Sequence, residues 1–272
     1  MKKSNFFIAM IGTTIFMSMS MSMDTSSILL QSTTSAKNSG LYKYLLPMIK
    51  SDTGITVNIV AVGTGAAIRN AMNCDGDVLL VHSRAREDKF VADGYAAQRF
   101  DVMYNDFVVI GPKSDPARIA GIADVGVAFV KISQSKSKFV SRGDDSGTHS
   151  KEQSLWKAAN VDQKHGAGTW YHETGSGMGG TLNTAAGMDA YTLSDRASWV
   201  AFANKGDHRV LVEGDKRLFN PYGVMLVDKK KCPMVKSAEG QLFIDWLLSK
   251  RGQEAIASFR VNGKQLFFPN KK

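Results

Sequence analysis

Four short segments of the chain combine hydroxyl-bearing residues and glycines in a way that suits the binding of a small anion. They are residues 32–35 (STTS), 63–65 (GTG), 141–148 (SRGDDSGT) and 175–180 (GSGMGG). Ser and Thr supply neutral hydrogen-bond donors, glycine lets backbone N–H groups approach a ligand, and Arg142 adds a planar, permanent cation. Together these groups predict a cage of donors for a doubly charged anion that stays deprotonated at neutral pH.

Other interpretations of these segments remain open. The hydroxyls of residues 32–35 and the glycines of residues 63–65 are also typical of helix caps and turns. Residues 175–180 match G-x-G-x-x-G by spacing, but the polar residues 170–174 before them do not form a clear strand, which disfavours a dinucleotide site. A serine hydrolase using Ser146 or Ser176 would require a histidine within hydrogen-bond reach of one of these serines. The five histidines show no metal-ligand spacing, so we predict no metal site.

Apolar strands and amphipathic helices alternate along the chain, and this order predicts an α/β fold with largely parallel sheets. The predicted strands are residues 27–31, 55–62, 77–82, 107–111 and 138–141, and the predicted helices are residues 39–52, 86–92, 124–133, 150–159 and 238–259. Ser150 and Gln153 have the spacing of a capping box for the fourth helix. In such sheets ligands bind at the carboxyl ends of strands, in the loops that lead into helices.

The first 23 residues predict a secretory signal peptide. Lys2 and Lys3 precede an apolar stretch of 11 residues, 6–16, after which small residues alternate with Met. The stretch is shorter than the roughly 20 residues that a spanning helix needs. No cysteine follows it as a site for a lipid anchor, and no later segment is long and apolar enough to cross a bilayer. We therefore expect an exported protein of the bacterial periplasm.

Net charge and cysteine content limit the remaining classes of partner and chemistry. The formal net charge is +9, or +7 once Lys2 and Lys3 are removed, and it suits an anionic ligand. The basic residues are mostly scattered and not interleaved with aromatic residues, so we expect no nucleic-acid partner. Export permits a disulfide between Cys74 and Cys232, but we interpret them as two free or buried thiols.

The candidate segments and their neighbours resemble the tungstate-binding proteins of bacterial ABC transporters. The resemblance extends over about residues 26–269, which is nearly the whole mature chain. Its blocks, in the order of the family, are STTSAKNSGL (32–41), VAVGTG (60–65), DVLLVHSRARED (77–88), VMYNDFVVIGP (102–112), SRGDDSGTHSKE (141–152), WYHETGSGMGGTL (170–182), AYTLSDR (190–196) and FNPYGV (219–224).

The resemblance implies a type II periplasmic-binding-protein fold, in which two α/β lobes close on the ligand like a hinge. Residues 24–105 would form the first part of lobe I, residues 106–220 lobe II, and residues 221–272 the return segment of lobe I. The chain would cross between lobes near residues 104–106 and 220–222. The resemblance also implies a monomeric receptor without catalysis or cofactor, which delivers tungstate to a membrane permease.

The resemblance further assigns the residues that bind the oxyanion. In the family, the Thr/Ser loop and the Arg of the SRGDDSGT block are the ligands. Carried over to this chain, lobe I would present Thr33, Thr34, Ser35 and Thr64, and lobe II would present Arg142, Ser146 and Thr148.

Three positions depart from the family pattern. Ala36 replaces a common Thr and would remove one hydroxyl beside the site, and Ser176 replaces a common Gln, so the fourth segment is not assigned as a ligand. Residues 197–198 are Ala-Ser where Gly-Thr is common. We expect Asp195 and Arg196 to form an internal ion pair.

The identity of the anion stays open between tungstate, molybdate, phosphate and sulfate. Tungstate and molybdate share charge and shape, and sequence does not separate them. Phosphate at neutral pH often carries a proton, and sites for it usually offer an acceptor carboxylate. Asp144 or Asp145 pointing into the cleft would therefore favour phosphate, whereas we expect at least one of them to orient Arg142 or to cap the following helix.

Overall fold

The computed structural model describes residues 26–270, so the predicted signal peptide, residues 1–23, lies outside the described residues. The predicted alternation of strands and helices is confirmed. The strands are β1 (Ser27–Thr33), β2 (Thr56–Val62), β3 (Val78–Val81), β4 (Phe100–Gly111), β5 (Phe139–Ser141), β6 (Tyr171–Glu173), β7 (Thr192–Asp195), β8 (Arg209–Val212), β9 (Phe219–Leu226), β10 (Arg260–Val261), β11 (Lys264–Gln265) and β12 (Phe268–Pro269). The helices are α1 (Thr34–Asn38), α2 (Leu41–Thr53), α3 (Thr64–Met72), α4 (Arg84–Ala92), α5 (Val125–Gln134), α6 (Gly147–Ala158), α7 (Met178–Met188), α8 (Arg196–Ala201), α9 (Ser237–Leu248) and α10 (Lys250–Ser258).

The main sheet is mixed, with strand order β12-β4-β9-β3-β1-β2. Strand β1 pairs in parallel with β2 and β3, whereas β9 runs antiparallel to both β3 and β4. The prediction of largely parallel sheets is therefore wrong. The cause is that β4 leaves the first half of the fold and β9 returns beside it, so the two strands necessarily run in opposite directions.

Strand β4 is long enough to belong to two hydrophobic cores. Its first half carries Met103 into a core formed with α2, α9 and α10, which we call the first lobe. Its second half pairs with β7 and β8 and carries Phe107 into a separate core with α5 and α6, which we call the second lobe. The sequence predicted only residues 107–111 of this strand.

The two crossing segments lie side by side. Asn105 of β4 is opposite Asn220 of β9 in the strand register, and Asn220 Nδ2 donates to Asn105 Oδ1 at 2.6 Å. Both asparagines are almost fully buried. An amide pair bonded across the crossing point fixes the relative position of the two strands where a hinge motion would be centred.

Several boundaries differ from those predicted from the sequence. Helix α6 begins at Gly147 and is capped by Ser146, whose Oγ accepts from His149 N, so the capping box at Ser150 is wrong. The single predicted helix of residues 238–259 is two helices separated by the cap residue Ser249. A short strand, β6, does precede residues 175–180. In the described part, residues 26–270, none of the helices combines the length and apolarity needed to cross a membrane.

Cys74 and Cys232 form a disulfide, so the interpretation as two free or buried thiols is wrong. Cys74 follows α3, and Cys232 lies in the segment after β9; their Cα atoms are 5.2 Å apart across a sequence separation of 158. Two cysteines this far apart in sequence cannot be predicted to lie close together. Their proximity follows from the return of β9 beside β3. The pairing fits the oxidising compartment that the predicted signal peptide implies.

Removing this disulfide should destabilise the protein without altering the anion site. Closing a loop this long restricts the unfolded chain, and native disulfides of this kind stabilise by about 2–4 kcal/mol. We expect the Cys74→Ser, Cys232→Ser double variant to lose about that much free energy of unfolding in urea. Reduction of the wild-type protein serves as the control and should produce the same loss. Equal stability of oxidised, reduced and double-variant protein would contradict the assignment.

Candidate functional site

The first-lobe part of the site lies at one edge of the main sheet. In the register of the parallel strands, Thr33 is opposite Val62, and the pairing of Ser32 with Leu80 places Thr33 beside Val81. Strands β1, β2 and β3 therefore end together. Each leads into a helix, which brings the segments that begin at Thr33, Gly63 and His82 to the same edge, as expected for ligand loops of an α/β sheet.

A buried hydrogen-bonded chain runs through this edge. Thr33 Oγ1 lies 3.1 Å from Ser35 Oγ, Ser35 Oγ lies 3.2 Å from His82 Nε2, and His82 Nδ1 lies 3.0 Å from Oδ1 of Asn220. The ring of His82 stacks on Tyr222 with centroids 4.7 Å apart. His82 thus connects the Thr/Ser loop to the asparagine pair at the crossing. The sequence pattern did not indicate a role for His82; its position directly after the buried strand β3 was the available signal.

The second-lobe part of the site is the loop between β5 and α6. Arg142 is 5% exposed, and its Nη2 donates to Asp144 Oδ2 at 2.5 Å, so Asp144 orients the arginine as expected. Thr174, after β6, supports the loop from behind, because its Oγ1 donates to the backbone oxygens of Ser141 and Arg142 at 3.3 Å. The fourth sequence segment therefore begins beside a residue that holds the Arg142 loop in place.

The two parts meet at the start of α6. A methyl group built on Gly147 would lie 2.9 Å from Thr64 Oγ1 and 2.9 Å from His82 Cε1, so the helix backbone passes directly over these first-lobe side chains. Gly65 N donates to the backbone oxygen of Asp145 at 2.9 Å, which is a direct bond between the lobes. The structure thus shows the lobes in contact across the cleft.

Three donors in the two segments that meet here, residues 63–65 and 141–148, are buried without a protein partner in the described residues 26–270. They are the hydroxyls of Thr64 and Thr148 and the Nε of Arg142. A buried polar group without a partner costs about 1–3 kcal/mol, more when it is charged, so such groups concentrate at ligand sites. All three can donate and one belongs to a permanent cation, which is the chemistry that an oxyanion requires.

The remaining predicted residues have other neighbours. Ser146 is 2% exposed, and its hydroxyl oxygen accepts the helix-capping bond, which leaves its hydrogen available for donation. Thr34 begins α1 and is half-buried. Ala36, where the family commonly has Thr, is fully buried and packs into the first-lobe core.

Asp195 and Arg196 do not pair with each other, so that prediction is wrong. Asp195 is fully buried and caps α8 by accepting from Ser198 N at 2.9 Å. Arg196 points elsewhere and forms ion pairs with Asp106 at 2.6 Å and Glu213 at 2.7 Å. The side chains of adjacent residues at a strand-to-helix junction point in different directions. Adjacency in the sequence was therefore not a sound basis for predicting an ion pair.

The serine hydrolase alternative lacks its required base. Ser146 Oγ bonds the backbone N of His149, and Ser176 Oγ bonds Thr174 Oγ1. Within residues 26–270 no histidine side chain bonds either serine; the ring of His149 bonds Ser141 instead, at 3.1 Å. Burial lowers the pKa of His149, which therefore stays largely neutral at neutral pH.

A clasp between the lobes is formed by Asp145, the second acidic residue of the loop. Its carboxylate pairs with Arg69 of α3 and with Arg86 of α4, the latter at 2.6 Å. Burial alone would raise the pKa of Asp145, but the two arginines hold it below its ordinary value. Asp145 therefore faces first-lobe cations and does not act as an acceptor inside the donor cluster.

Replacing Asp145 with Asn should weaken anion binding moderately by loosening this clasp. Both pairs are partly exposed, and exposed pairs contribute about 0.2–1 kcal/mol each, so we expect a Kd about 2- to 30-fold higher, with the difference shrinking in high salt. Isothermal titration calorimetry would measure it. Asp88→Asn is the matched control, because Asp88 pairs with Arg84 inside α4 and spans no cleft. An unchanged Kd for Asp145→Asn would show that the clasp does not contribute to closure.

Two lobes that meet over a cluster of buried, unpaired donors define the class of two-lobed solute-binding proteins for small anions. Comparison with known proteins agrees: the profile of the PBP superfamily domain matches residues 21–251. The tungstate-binding protein TupA of Peptoclostridium acidaminophilum is 43% identical over 248 residues, covering 90% of this chain and 86% of that protein. TupA of Campylobacter jejuni is 37% identical over 238 residues, covering 86% of this chain and 87% of that protein.

Among solved structures, the tungstate-binding protein TupA from Desulfovibrio alaskensis G20 has a TM-score of 0.80 and 42% sequence identity, and the alignment covers 91% of this chain and 100% of that one. The chain belongs to the family of TupA-type tungstate-binding proteins within the PBP superfamily. The two-lobed periplasmic-binding-protein fold that the resemblance implied is thereby confirmed.

Proposed function

We propose that this protein captures tungstate between its two lobes and delivers it to the permease of an ABC transporter. The observation that carries the proposal is the set of buried, unpaired donors, Arg142 Nε and the hydroxyls of Thr64 and Thr148, at the point where the lobes meet. The relatives named for tungstate binding support the choice of anion. Molybdate, of the same charge and shape, is the alternative within this proposal.

The proposed ligand residues are Thr33, Thr34, Ser35, Thr64, Arg142, Ser146 and Thr148. Burial and donor chemistry support all of them except Thr34, whose placement at the start of α1 is its only support. The proposed lobe limits stay at residues 24–105, 106–220 and 221–272, supported by the pairing of Asn105 with Asn220 at the crossing. Closure about that crossing would exclude water and strengthen each bond to the anion.

The proposal describes a monomeric, non-catalytic receptor of the periplasm. Capture needs donors in fixed positions and no nucleophile, which agrees with the roles that the relatives' names state. Residues 1–23 would direct export and be removed, and the disulfide suits the destination. The donor cluster, built around one arginine, suits a compact anion, and we propose no nucleic-acid partner.

Phosphate is the second candidate ligand, on the strength of one observation. Asp144 Oδ1 is buried and has no partner within residues 26–270, so it could accept the proton that hydrogen phosphate carries and tungstate lacks. Its other oxygen is engaged by Arg142, and the carboxylate of Asp145 is turned to Arg69 and Arg86. The two candidates therefore differ in whether Asp144 orients the arginine or contacts the ligand.

A thermal-shift titration separates these candidates. Tungstate, molybdate, sulfate and phosphate would be added to the mature protein, from about Asp24, at one micromolar concentration. A ligand at 100 times its Kd raises stability by about 2.7 kcal/mol, which gives a clear rise in Tm. We expect a large shift with tungstate and none with sulfate or phosphate. Equal shifts with tungstate and molybdate would retain the receptor but not its selectivity, and a shift with phosphate alone would overturn the tungstate assignment.

A further inference from the structure

His82 occupies a position from which it can govern the Thr/Ser loop. Its Nε2 faces the hydroxyl of Ser35 at 3.2 Å, and its Nδ1 faces Asn220 Oδ1 at 3.0 Å. His82 is 6% exposed, and Ser35 is 4% exposed. Water therefore has little access to these bonds, so the hydrogen-bonding groups of the protein itself determine the direction in which each hydrogen is donated.

The asparagine pair at the crossing sets that direction. Because Asn220 Nδ2 donates to Asn105 Oδ1, the atom that Asn220 turns toward His82 is its Oδ1, which can only accept. His82 Nδ1 therefore carries a hydrogen. In the neutral ring Nε2 is then an acceptor, and Ser35 donates its only hydroxyl hydrogen to it. Ser35 in turn can accept from Thr33, 3.1 Å away.

We propose that His82 is a positioning residue, which determines whether the hydroxyl hydrogen of Ser35 is retained inside the protein or donated to the bound oxyanion. A hydrogen on both ring nitrogens would make Nε2 a donor to Ser35 Oγ. That change releases the hydrogen of Ser35, directly or through Thr33, toward the ligand. The inference rests on the proposed function and concerns a ligand bound through its oxygen atoms, with no bond between the metal and the protein.

The groups around the ring keep it neutral in the ligand-free arrangement of the structure, in which the lobes are in contact. Burial lowers the pKa of His82 below its ordinary value of 6.5, and the cations Arg142 and Lys151 act in the same direction. Buried Asp195 opposes them, as does the hydrogen bond to Asn220. Tyr222, stacked on the ring, stays uncharged because burial raises its own pKa.

Anion binding should shift the His82 ring from its neutral form towards its charged form. A dianion beside the ring favours the imidazolium, so it raises the pKa of His82, and the protein takes up a proton on binding. A group whose pKa rises on binding strengthens binding as pH falls. The gain in affinity is complete at pH values below the pKa of His82 in the free protein, which lies under 6.5. It is lost at pH values above the pKa of His82 in the complex. Between the two values Kd should change by up to about tenfold per pH unit.

The test is the Kd for tungstate, measured by calorimetry at several values between about pH 5.5 and 8. Wild-type Kd should fall as pH falls, and His82→Gln, which fills similar space but does not titrate, should remove most of that slope. Comparing the variants at each pH cancels any titration of tungstate itself. In a Ser35→Ala background, His82→Gln should have a smaller effect on the slope, because the part of the coupling that passes through the Ser35 bond is already absent.

Two control variants isolate His82 from other titrating groups. His208 is also a buried histidine, but it bonds the backbone of Ala190 in the second lobe, so His208→Gln should keep the wild-type slope. His149→Gln should change the slope much less than His82→Gln does, because the ring of His149 bonds Ser141 and not a proposed ligand residue. The inference is overturned if His82→Gln retains the wild-type slope, or if His149→Gln removes it. Absence of tungstate binding by the wild-type protein at every pH would instead remove the proposed function.

A measurement on the wild-type protein covers the case in which His82→Gln does not fold. Long-range ¹H–¹⁵N correlation of histidine-labelled protein reports which ring nitrogen carries hydrogen. Free protein at pH 7.5 should show His82 with hydrogen on Nδ1 alone, and saturating tungstate at lower pH should add hydrogen to Nε2. A ring with hydrogen on Nε2 alone in the free protein would contradict the inferred direction of the chain.

Discussion

Arg142→Gln is expected to raise the Kd for tungstate by about 100-fold or more while the protein remains folded. Arg142 is 5% exposed and supplies the one permanent cation of the donor cluster, with Nε unpaired and Nη2 bonded to Asp144. Removing one partner from a buried charged contact costs about 3–5 kcal/mol, which exceeds two factors of ten in affinity. Titration calorimetry gives the Kd, and a thermal melt without ligand verifies folding.

Two further variants test whether the effect of Arg142→Gln is specific to the guanidinium group at this position. Arg142→Lys should also bind more weakly, because a compact ammonium group cannot reproduce the planar fork of donors. Arg217→Gln is the control: Arg217 pairs with Asp124 and Asp215 in the second lobe and is partly exposed, so its loss should leave the Kd unchanged. Near-wild-type affinity in Arg142→Gln would exclude Arg142 from the site.

Gly147→Ala should weaken binding about 5- to 150-fold. The added methyl would lie 2.9 Å from both Thr64 Oγ1 and His82 Cε1 when the lobes are in contact, and overpacking of this kind costs about 1–3 kcal/mol. Without ligand the protein relieves this overlap by opening, because Gly147 belongs to the second lobe and Thr64 and His82 belong to the first. Calorimetry should therefore show a higher Kd, whereas the melting temperature without ligand should hardly change.

The matched control for this substitution is Gly187→Ala. Gly187 also lies in a helix, α7, and a methyl there meets nothing within 4 Å. Alanine is favoured over glycine by about 1 kcal/mol in a helix interior and by less near the end of a helix, where Gly187 lies, so this variant should melt at or slightly above the wild-type temperature and bind tungstate as the wild-type protein does. If Gly147→Ala binds as tightly as Gly187→Ala, the lobes do not meet at Gly147 in the bound state.

Much of the fold follows from patterns local in sequence. The β-branched run at residues 55–62 and the amphipathic run at residues 39–52 correspond to β2 and α2 within a few residues. Pairing between distant segments was not accessible in the same way. The disulfide and the mixed sheet both depend on the return of β9 beside β3, which no local pattern encodes.

In the site, too, some features follow from local sequence patterns and others depend on distant segments. Hydroxyl, glycine and arginine residues at strand-to-helix junctions identified both sides of the cleft, and Arg142 is buried there beside Asp144. The sequence did not indicate a role for His82, because its ring is bonded to Ser35 and Asn220, which are 47 and 138 residues away. The clasp at Asp145 likewise depends on Arg69 and Arg86 across the cleft. The direction in which the Asp145 carboxylate points is therefore set only when the two lobes come together.

The most direct test is a crystal structure of the mature protein grown with tungstate, in which anomalous scattering from tungsten locates the ion independently of its oxygen atoms. We predict one strong tungsten peak between the lobes, with its oxygens within hydrogen-bond distance of Arg142 and of the hydroxyls of Thr64 and Thr148. A tungsten peak elsewhere on the protein, or bound protein in which Arg142 does not contact the ion, would contradict this account.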